Sequence, residues 1–434
     1  MSAGKLPEGW VDTQLGNIVD YGKATKRVLS DVNDDTWVLE LEDIEKESSK
    51  LLSTIRASER PFKSTKNSFK RGDVLYGKLR PYLNKIIIAK EDGVCTTEII
   101  PLCAEPSCCN KYIFYWLKSS TFQGYVNDVS YGVNMPRLGT ADGLKAPLRL
   151  APLAEQKIIA EKLDTLLAQI DSTKARLEQI PQILKRFRQA VLAAAVSGNL
   201  TAEWRMNNNS NIVEEEIEKV KNKLIAKKII KKDLIYSKLD RKYPIPSDWL
   251  YVKLQSIATK ITDGEHKTPK REPAGQLLIS ARNIQDGYLK LSDVDYVGDA
   301  EFQKLRNRCD PDSGDVLISC SGSIGRVCLV DENSKYVMVR SVALIKLMQD
   351  FVINKYMMYL LQSPLLQKEI EENSKSTAQA NLFLGPIKNL GIPLPPVPEQ
   401  AEIVRRVEQL FAYADTIEKQ VNSALTRVNS LTQS

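Results

Sequence analysis

Two long stretches of the sequence place apolar residues at alternating spacings of four and three positions. The first begins at Ile159 and the second begins at Ile403, in the same register, 244 residues later. This heptad spacing is typical of helices that pair along an apolar seam. The seam positions are Ile159, Leu163, Leu166, Ile170 and Leu177 in the first helix and Ile403, Val407, Leu410, Ile417 and Val421 in the second.

Each predicted helix is too long to be covered by one small domain. Forty helical residues span about 60 Å, so the pattern favours an intramolecular coiled coil over packing of each helix on its own domain. We expect Pro181 to kink the first helix, because a proline removes a backbone hydrogen bond.

The rest of the sequence repeats with nearly the same period. An offset that drifts by only five residues indicates one domain plan used twice, with small insertions. The matched segments are Pro7–Trp10 with Pro246–Trp249 at an offset of 239, Gly72–Leu75 with Gly314–Leu317 at 242, and Asn110–Tyr112 with Asn354–Tyr356 and Glu155–Gln156 with Glu399–Gln400 at 244.

Each half begins with a region rich in β-branched residues and turns, and closes on its long helix. We predict an α+β fold in which two similar globular α/β domains are joined by a long antiparallel intramolecular coiled coil. The predicted strands are 73–75 with 85–89 and 315–319 with 326–330, and the predicted short helices are 112–117 and 356–361. The predicted divisions are 1–150 (first domain), 151–197 (first long helix), 198–243 (linker with a basic helix), 244–396 (second domain) and 397–434 (second long helix).

The linker is predicted to let the second helix return antiparallel to the first. Asn207–Asn211 is typical of a turn or flexible linker, and the lysines of Lys219–Lys232 are typical of a solvated helix face. We expect this arrangement to place the two globular parts at opposite ends of a rod.

Composition excludes several classes of protein. The chain has 61 Lys and Arg against 54 Asp and Glu, a net charge of +7 that suits a polyanionic partner without requiring one. No stretch is apolar and long enough for a membrane span or a signal peptide, so we expect a cytoplasmic protein without membrane contact. The single histidine, His266, and the absence of phosphate-loop and dinucleotide motifs argue against an independent ATPase, methyltransferase or nuclease. The seven cysteines lack C-x-x-C spacing, so no metal site is expected.

Two similar but non-identical globular parts on a rigid spacer suit the reading of two positions on duplex DNA. Phosphates bind cations and base edges need short donors and acceptors, so the candidate contacts are loops with Lys or Arg beside small polar or aromatic residues. A turn with a solvated lysine is the commoner explanation of any one such loop, but similar loops occur in both halves. The candidates are Lys23, Lys26, Arg27, Tyr76, Lys78, Arg80, Tyr82, Asn84 and Lys85 in the first half, and His266, Lys267, Thr268, Ser321, Ser323, Arg326, Gln379 and Asn381 in the second.

Several segments of the sequence resemble the specificity subunits of type I restriction-modification enzymes, most closely the enterobacterial type IA group. The resemblance covers essentially the whole chain. The segments that resemble the shared regions of the family are Met1–Trp10, Pro152–Leu192 and Glu399–Asn422, and Gly72–Lys85 with Thr96–Ile99 looks like one version of the variable first recognition domain.

The resemblance implies a non-catalytic subunit with two target-recognition domains that read the halves of a bipartite target in double-stranded DNA. It implies two methyltransferase subunits that modify adenine N6 and two restriction subunits that translocate and cut DNA. S-adenosylmethionine, ATP and magnesium are then expected on those partners and no cofactor on this chain. The family pattern also implies a second copy of Val191–Arg205 after the last helix. The sequence stops at Ser434, so we expect a chain that is truncated relative to the family and lacks part of the methyltransferase-docking surface.

Two alternatives stay open from the sequence. A coiled-coil scaffold with two protein-binding heads would oligomerise and show no salt-dependent affinity for duplex DNA. A cryptic nuclease or methyltransferase would act on plasmid without a partner.

Overall fold

The structure is a computed structural model that describes residues 6–132, 134–208, 213–230, 239–240, 242–374 and 380–431. Its contacts divide the chain into two compact units. The first unit comprises Met1–Leu177 with Ala424–Ser434, and the second comprises Glu178–Ser423. Both long helices therefore contribute to both units.

The first unit combines small sheets with short helices. Its strands are β1 Val11–Gln14, β2 Lys26–Arg27, β3 Trp37–Leu39, β4 Lys66–Phe69, β5 Val74–Gly77, β6 Ile86–Ile88, β7 Gly93–Cys95, β8 Ile99–Leu102 and β9 Pro147–Leu150. Its short helices are α1 Asn110–Lys118, α2 Ser120–Val129 and α3 Thr140–Lys145. The sheets have the orders β1-β9, β6-β5-β8 and β2-β4-β7-β3. Leu15, Val74, Ile86, Ile113 and Phe122 belong to one apolar core that joins the three-stranded sheet to the helices.

The second unit repeats this plan with additions. Its strands are β10 Leu250–Lys253, β11 Ala258–Asp263, β12 Arg271–Glu272, β13 Gln276–Ile279, β14 Ile284–Gln285, β15 Tyr288–Leu289, β16 Asp295–Val297, β17 Val316–Ser319, β18 Val327–Leu329, β19 Tyr336–Met338, β20 Val342–Leu347 and β21 Gly391–Leu394. Its helices, besides parts of the two long ones, are α5 Ala202–Met206, α6 Val213–Ala226, α7 Asp299–Arg308, α8 Asn354–Gln362, α9 Pro364–Ser374 and α10 Leu384–Asn389. The sheets have the orders β10-β21, β11-β20-β17-β18, β12-β16-β13-β19 and β14-β15.

Equivalent elements make equivalent contacts in the two units. In each, the first strand pairs antiparallel with the strand before the long helix, β1 with β9 and β10 with β21. The predicted strand pairs are confirmed, since β5 pairs with β6 and β17 with β18. The predicted short helices are α1 and α8. The α+β class with two repeated domains and long connecting helices is therefore confirmed.

The long helices are α4 Leu153–Val196 and α11 Val397–Leu431. In the second unit they run antiparallel: Arg188 Nη2 donates to Asp415 at 2.6 Å and Glu418 at 2.9 Å, whereas Thr201, beyond the end of α4, reaches Glu399 near the start of α11. Pro181 lies inside α4, which is one helix across it, and the kink expected there stays a prediction.

The predicted seam is covered unevenly. Ile403 and Val407 are fully buried and Val421 is 5% exposed, and Leu410 and Ile417 are half-buried. In α4, Ile159, Leu163, Ile170 and Leu177 are half-buried. The prediction is wrong at Leu166, which is 54% exposed because no described residue covers it.

Helix α6 is only partly the solvated face that its lysines predict. Ile217 is 1% exposed in the core of the second unit, Lys221 is 8% exposed, and Lys223 Nζ pairs with Asp350 at 2.8 Å. Asn209–Asn211 and Lys231–Lys232, which belong to the predicted linker and basic run, lie outside the described residues. None of the described helices is both apolar enough and long enough to cross a membrane.

Candidate nucleic-acid interface

In the first unit, the loop that follows β5 lies against a second loop that precedes α3. The backbone N–H of Arg80 donates to Pro136 O at 2.7 Å, that of Leu138 donates to Lys78 O at 3.0 Å, and Leu79 forms a bridge with Arg137. We call Lys78–Tyr82 and 131–138, without residue 133, the first loop pair. Two loops distant in sequence thus present one surface.

The first loop pair exposes cationic and aromatic groups. Arg80 is exposed in the left-handed region at φ 49°, and Tyr82 and Tyr131 are 53% and 60% exposed. Lys78 is half-buried, and among the described residues neither it nor Arg80 forms an ion pair. Arg137 Nε is held by Glu98 Oε2 at 3.1 Å. In this arrangement the cationic side chains can bind a phosphate, and the aromatic rings can stack on a base.

Three other candidates near this loop belong to the scaffold. The prediction for Tyr76 is wrong: it is fully buried on β5, where its ring contacts Phe122 edge-on at 5.8 Å and burial raises the pKa of its hydroxyl. Lys85 Nζ donates to Leu41 O at 2.7 Å, and Asn84 Oδ1 accepts from Gln123 at 3.3 Å. These side chains stabilise the strand and turn that position the first loop pair.

Lys23, Lys26 and Arg27 lie before and on β2, in a different sheet from β5. All three are exposed. Lys23 Nζ pairs with Asp20 at 3.2 Å, and Lys26 Nζ donates to Asn67 at 2.6 Å. They are not part of the first loop pair.

The second unit has the matching pair of loops. The backbone N–H of Leu382 donates to Cys320 O at 2.8 Å, and Ser321 forms a bridge with Asn381. These bridged residues correspond to Leu79 and Arg137 at offsets of 242 and 244. A cleft of about 370 Å³ opens beside them and is lined by Asp263, His266, Ser321, Arg340, Asn381 and Phe383, among others. We call these six residues the second-unit cleft; it unites the candidates His266, Ser321 and Asn381.

His266 is held in place at the cleft, since its Nε2 lies 2.7 Å from Asp263 Oδ2. The other oxygen of Asp263 accepts from Arg308 at 3.2 Å. Nearby, the backbone N–H of Lys267 donates to Glu265 at 3.0 Å, and this bond lowers the pKa of Glu265. The cleft thus presents an oriented imidazole.

The remaining candidates of the second unit occupy different environments. Lys267, Thr268 and Ser323 are exposed. Arg326 is half-buried, and its Nη1 donates to Gln285 at 3.0 Å. Gln379 lies outside the described residues. In the described ranges, no three His, Cys, Asp or Glu side chains gather as metal ligands would.

Sequence reasoning missed Tyr131 and Arg137 in the first unit and Arg340 and Phe383 in the second. Arg137 could have been found, since it corresponds to the candidate Asn381 at the offset of 244. Arg340 lies two residues after the end of β19, and its backbone N–H donates to Glu265 O at 3.1 Å, a contact across 75 residues that no local pattern contains.

The chain matches the family model of the type I restriction modification DNA specificity domain twice, at residues 7–182 and 246–427. The EcoBI specificity subunit of Escherichia coli is 38% identical over 81% of this chain and 69% of its own length. The EcoKI specificity subunit of Escherichia coli strain K12 is 33% identical, with coverage of 100% of this chain and 89% of its own length.

Solved structures share the fold at low identity. The HsdS subunit of Thermoanaerobacter tengcongensis superposes with a TM-score of 0.64 at 18% identity, over 100% of this chain and 96% of the other. A chain from work on complex assembly and conformational transition of the type I restriction-modification system superposes with a TM-score of 0.59 at 17% identity, over 99% and 97%. With two family-model matches that span most of the sequence, the chain belongs to the family of type I restriction-modification DNA specificity subunits.

Proposed function

We propose that this chain reads an asymmetric, bipartite duplex DNA target, with one half-site bound by each unit. The observation that carries the proposal is the matched pair of loop bridges, Leu79 with Arg137 and Ser321 with Asn381. Equivalent backbone positions present different side chains, so the two units are expected to recognise different sequences.

The side chains in each unit suit both kinds of DNA contact. Lys78 and Arg80 can neutralise phosphates, which supplies affinity that falls with salt. In the second-unit cleft, Asn381 and Arg340 are of the types that bond adenine and guanine edges in the major groove. Tyr131 and Phe383 offer exposed rings for apolar or stacking contacts.

We further propose that the chain is non-catalytic and docks two methyltransferase subunits and two restriction subunits. Its relatives are specificity subunits, which supports this role. S-adenosylmethionine would then act on the methyltransferase subunits, and ATP and magnesium on the restriction subunits.

The test is adenine-methylation mapping in cells that express the chain with its methyltransferase subunit. We expect one asymmetric motif with two specified parts and an unspecified gap. Two variants sharpen the result: Lys78→Ala with Arg80→Ala should relax one part, and Ser321→Ala with Asn381→Ala the other.

A continuous or perfectly palindromic motif would contradict the two-reader proposal. The scaffold alternative would be favoured if the purified chain showed no salt-dependent affinity for duplex DNA. Methylation of plasmid by the purified chain alone would identify a cryptic methyltransferase.

A further inference from the structure

Arg80 has a backbone conformation that is unfavourable for a residue with a side chain. Its φ of 49° lies in the left-handed region, where the Cβ of an L-residue crowds the backbone and glycine is the ordinary residue. The backbone N–H of Arg80 donates to Pro136 O at 2.7 Å, and its carbonyl accepts from the backbone N–H of Leu83 at 2.9 Å. The following residue, Pro81, is buried. These contacts fix the backbone of Arg80, and with it the direction in which the side chain leaves the loop.

The second unit has a glycine at the same position. The loop bridges align Leu79 with Ser321, so the next residue is Arg80 in the first unit and Gly322 in the second. Gly322 also has a positive φ, of 68°. A Cβ at Gly322 would meet no atom within 4 Å, so the glycine is explained by the left-handed backbone and not by lack of space. The first unit thus carries an arginine where the same fold ordinarily uses glycine.

A second left-handed position in the same loop has a side chain with a structural role. Asn84 has φ 50° and precedes Lys85, and Gly325 has φ 83° and precedes Arg326. Lys85 and Arg326 correspond, because the carbonyl of each accepts from the backbone N–H of the last residue of the preceding strand at 3.0 Å. Asn84 Oδ1 accepts from Gln123 Nε2 at 3.3 Å, so this side chain stabilises the loop that contains it.

The side chain of Arg80 does not stabilise the loop in this way. Arg80 is exposed, and within the described ranges its guanidinium forms neither a hydrogen bond nor an ion pair. The exposed rings of Tyr82 and Tyr131 belong to the same loop pair. A residue that is held in a strained conformation, and whose side chain has no partner in the fold, is typical of a binding site.

We propose that Arg80 reads a guanine in the half-site bound by the first unit, a role that rests on the proposed DNA-binding function. Arginine recognises guanine through two hydrogen bonds to O6 and N7 in the major groove, and this pair requires a fixed approach. A phosphate contact carries no such requirement, and Lys78 can supply it from backbone with ordinary φ. In the second unit, Arg340 supplies the cation of the cleft from a different loop, so a side chain at Gly322 is not required.

The first experiment is adenine-methylation mapping of Arg80→Gly in cells that also express the methyltransferase subunit. We expect one G·C pair of the wild-type motif to become degenerate, while the other part of the motif and the gap stay unchanged. Glycine adopts the left-handed backbone without strain, so the variant should unfold at the same urea concentration as wild type or a higher one. Asn84→Gly is the matched control, since it removes a side chain from the other left-handed position and should keep the wild-type motif.

A second experiment separates a base contact from a phosphate contact. Fluorescence anisotropy measures the affinity of the chain, in complex with its methyltransferase subunit, for the mapped target and for the same duplex with 7-deazaguanine at the degenerate position. This base lacks N7 but still pairs with cytosine. Wild type should bind the modified duplex about fivefold more weakly or worse, as expected for a bidentate pair that is broken. Arg80→Gly should bind the two duplexes equally.

Three results would overturn the assignment of Arg80. The first is a methylation motif of Arg80→Gly that is identical to the wild-type motif. The second is equal weakening of Arg80→Gly on target and random duplexes, which would assign the guanidinium to a phosphate. The third is a lower urea midpoint in Arg80→Gly than in Asn84→Gly, which would assign the side chain to the scaffold. Each of these results leaves two-part recognition intact, whereas a wild-type motif without two parts would contradict the proposed function itself.

Discussion

The two units contain the same tryptophan–glutamate hydrogen bond in opposite surroundings. Trp249 and Glu399 are each 1% exposed, whereas Trp10 and Glu155 are half-buried. The local sequences and bond lengths nearly match, so the difference comes from Gly198–Arg205, which we call the covering segment. Its Thr201 and Arg205 donate to Glu399, Arg205 also lies over Trp249, and Arg205 precedes Glu399 by 194 residues along the chain. A repeated motif fixes its local contact, but a remote segment decides how much that contact contributes to stability.

The largest expected effect separates the two carboxylates. Glu399→Ala leaves the half-buried Arg205 charge and the Thr201 and Trp249 donors without their shared acceptor, and because Glu399 is itself buried, we expect a loss of about 3 kcal/mol, the lower end of the cost of breaking a buried pair. Glu155→Ala removes one half-exposed bond and should cost less than about 1 kcal/mol. Urea denaturation monitored by hydrogen exchange in β10 and β1 would measure each unit separately.

Glu399→Gln is the control for size, because it keeps the shape and loses the charge. Equal destabilisation of both units by the two alanine variants would show that the covering segment adds nothing to the stability of the second unit.

A matched pair of asparagines offers the next largest contrast. Asn110 Oδ1 accepts from the backbone N–H of Ala104 at 2.7 Å, and its Nδ2 donates to Gly72 O at 3.0 Å. At the equivalent position, the buried Oδ1 of Asn354 has no hydrogen-bond partner among the described residues. Two unsatisfied backbone groups should make Asn110→Ala cost about 2–4 kcal/mol.

Asn354→Ala removes a group that is already unsatisfied, so it should be nearly neutral. The same exchange experiment measures both variants. A loss above about 2 kcal/mol in Asn354→Ala would indicate a bound water on that oxygen.

The repeat itself explains how much of this fold was predictable. Heptad spacing identifies the long helices, and the matched motifs identify β5 with β6 and β17 with β18, because these elements depend on local pattern. The exposure of a side chain, in contrast, depends on contacts with residues that are distant in sequence, which a local pattern of residues does not show. All four residues of β5 are buried, so Tyr76 follows no alternation that would reveal its inward position.

The candidate site was predictable to a smaller extent. Lys78, Arg80, Ser321 and Asn381 were identified as loop residues, and they do lie at matched loop bridges. Lys85 is basic and close in sequence, yet a backbone carbonyl from a distant turn holds it. Whether any of these side chains contacts DNA stays a prediction.

The third prediction concerns the first loop pair and duplex binding. Replacing Lys78 and Arg80 together with alanine should weaken specific binding by about 1–3 kcal/mol and reduce the salt slope by one or two phosphate contacts. Lys70→Ala with Arg71→Ala removes the same charge from exposed positions of the same unit and should change affinity less. Fluorescence anisotropy over a salt series provides the measurement. Equal losses of DNA affinity in both double variants would show that the loop contributes only through its positive charge.

The smallest expected effect is a pH dependence at Glu402 of the second long helix, which the equivalent position of the first long helix, Ile158, should not show. Hydrogen bonds from Arg405 and Arg406 hold the pKa of Glu402 at about 2, below its ordinary 4.5, so folding favours the ionised form. The stabilisation is full above the ordinary pKa and is lost as the pH falls from about 4.5 toward 2.

Helix pairs of this kind contribute a few tenths of a kcal/mol each, so Glu402→Gln should cost less than about 1 kcal/mol at neutral pH. The difference in free energy of unfolding between wild type and variant should then decrease as the pH falls from about 4.5 toward 2. Denaturant unfolding at a series of pH values in this interval measures it. Ile158→Gln at the equivalent position of α4 is the matched control, and its effect should not vary with pH because no carboxylate is removed. A difference for Glu402→Gln that persists at pH 2 would mean that the side chain stabilises α11 through packing rather than through its charge.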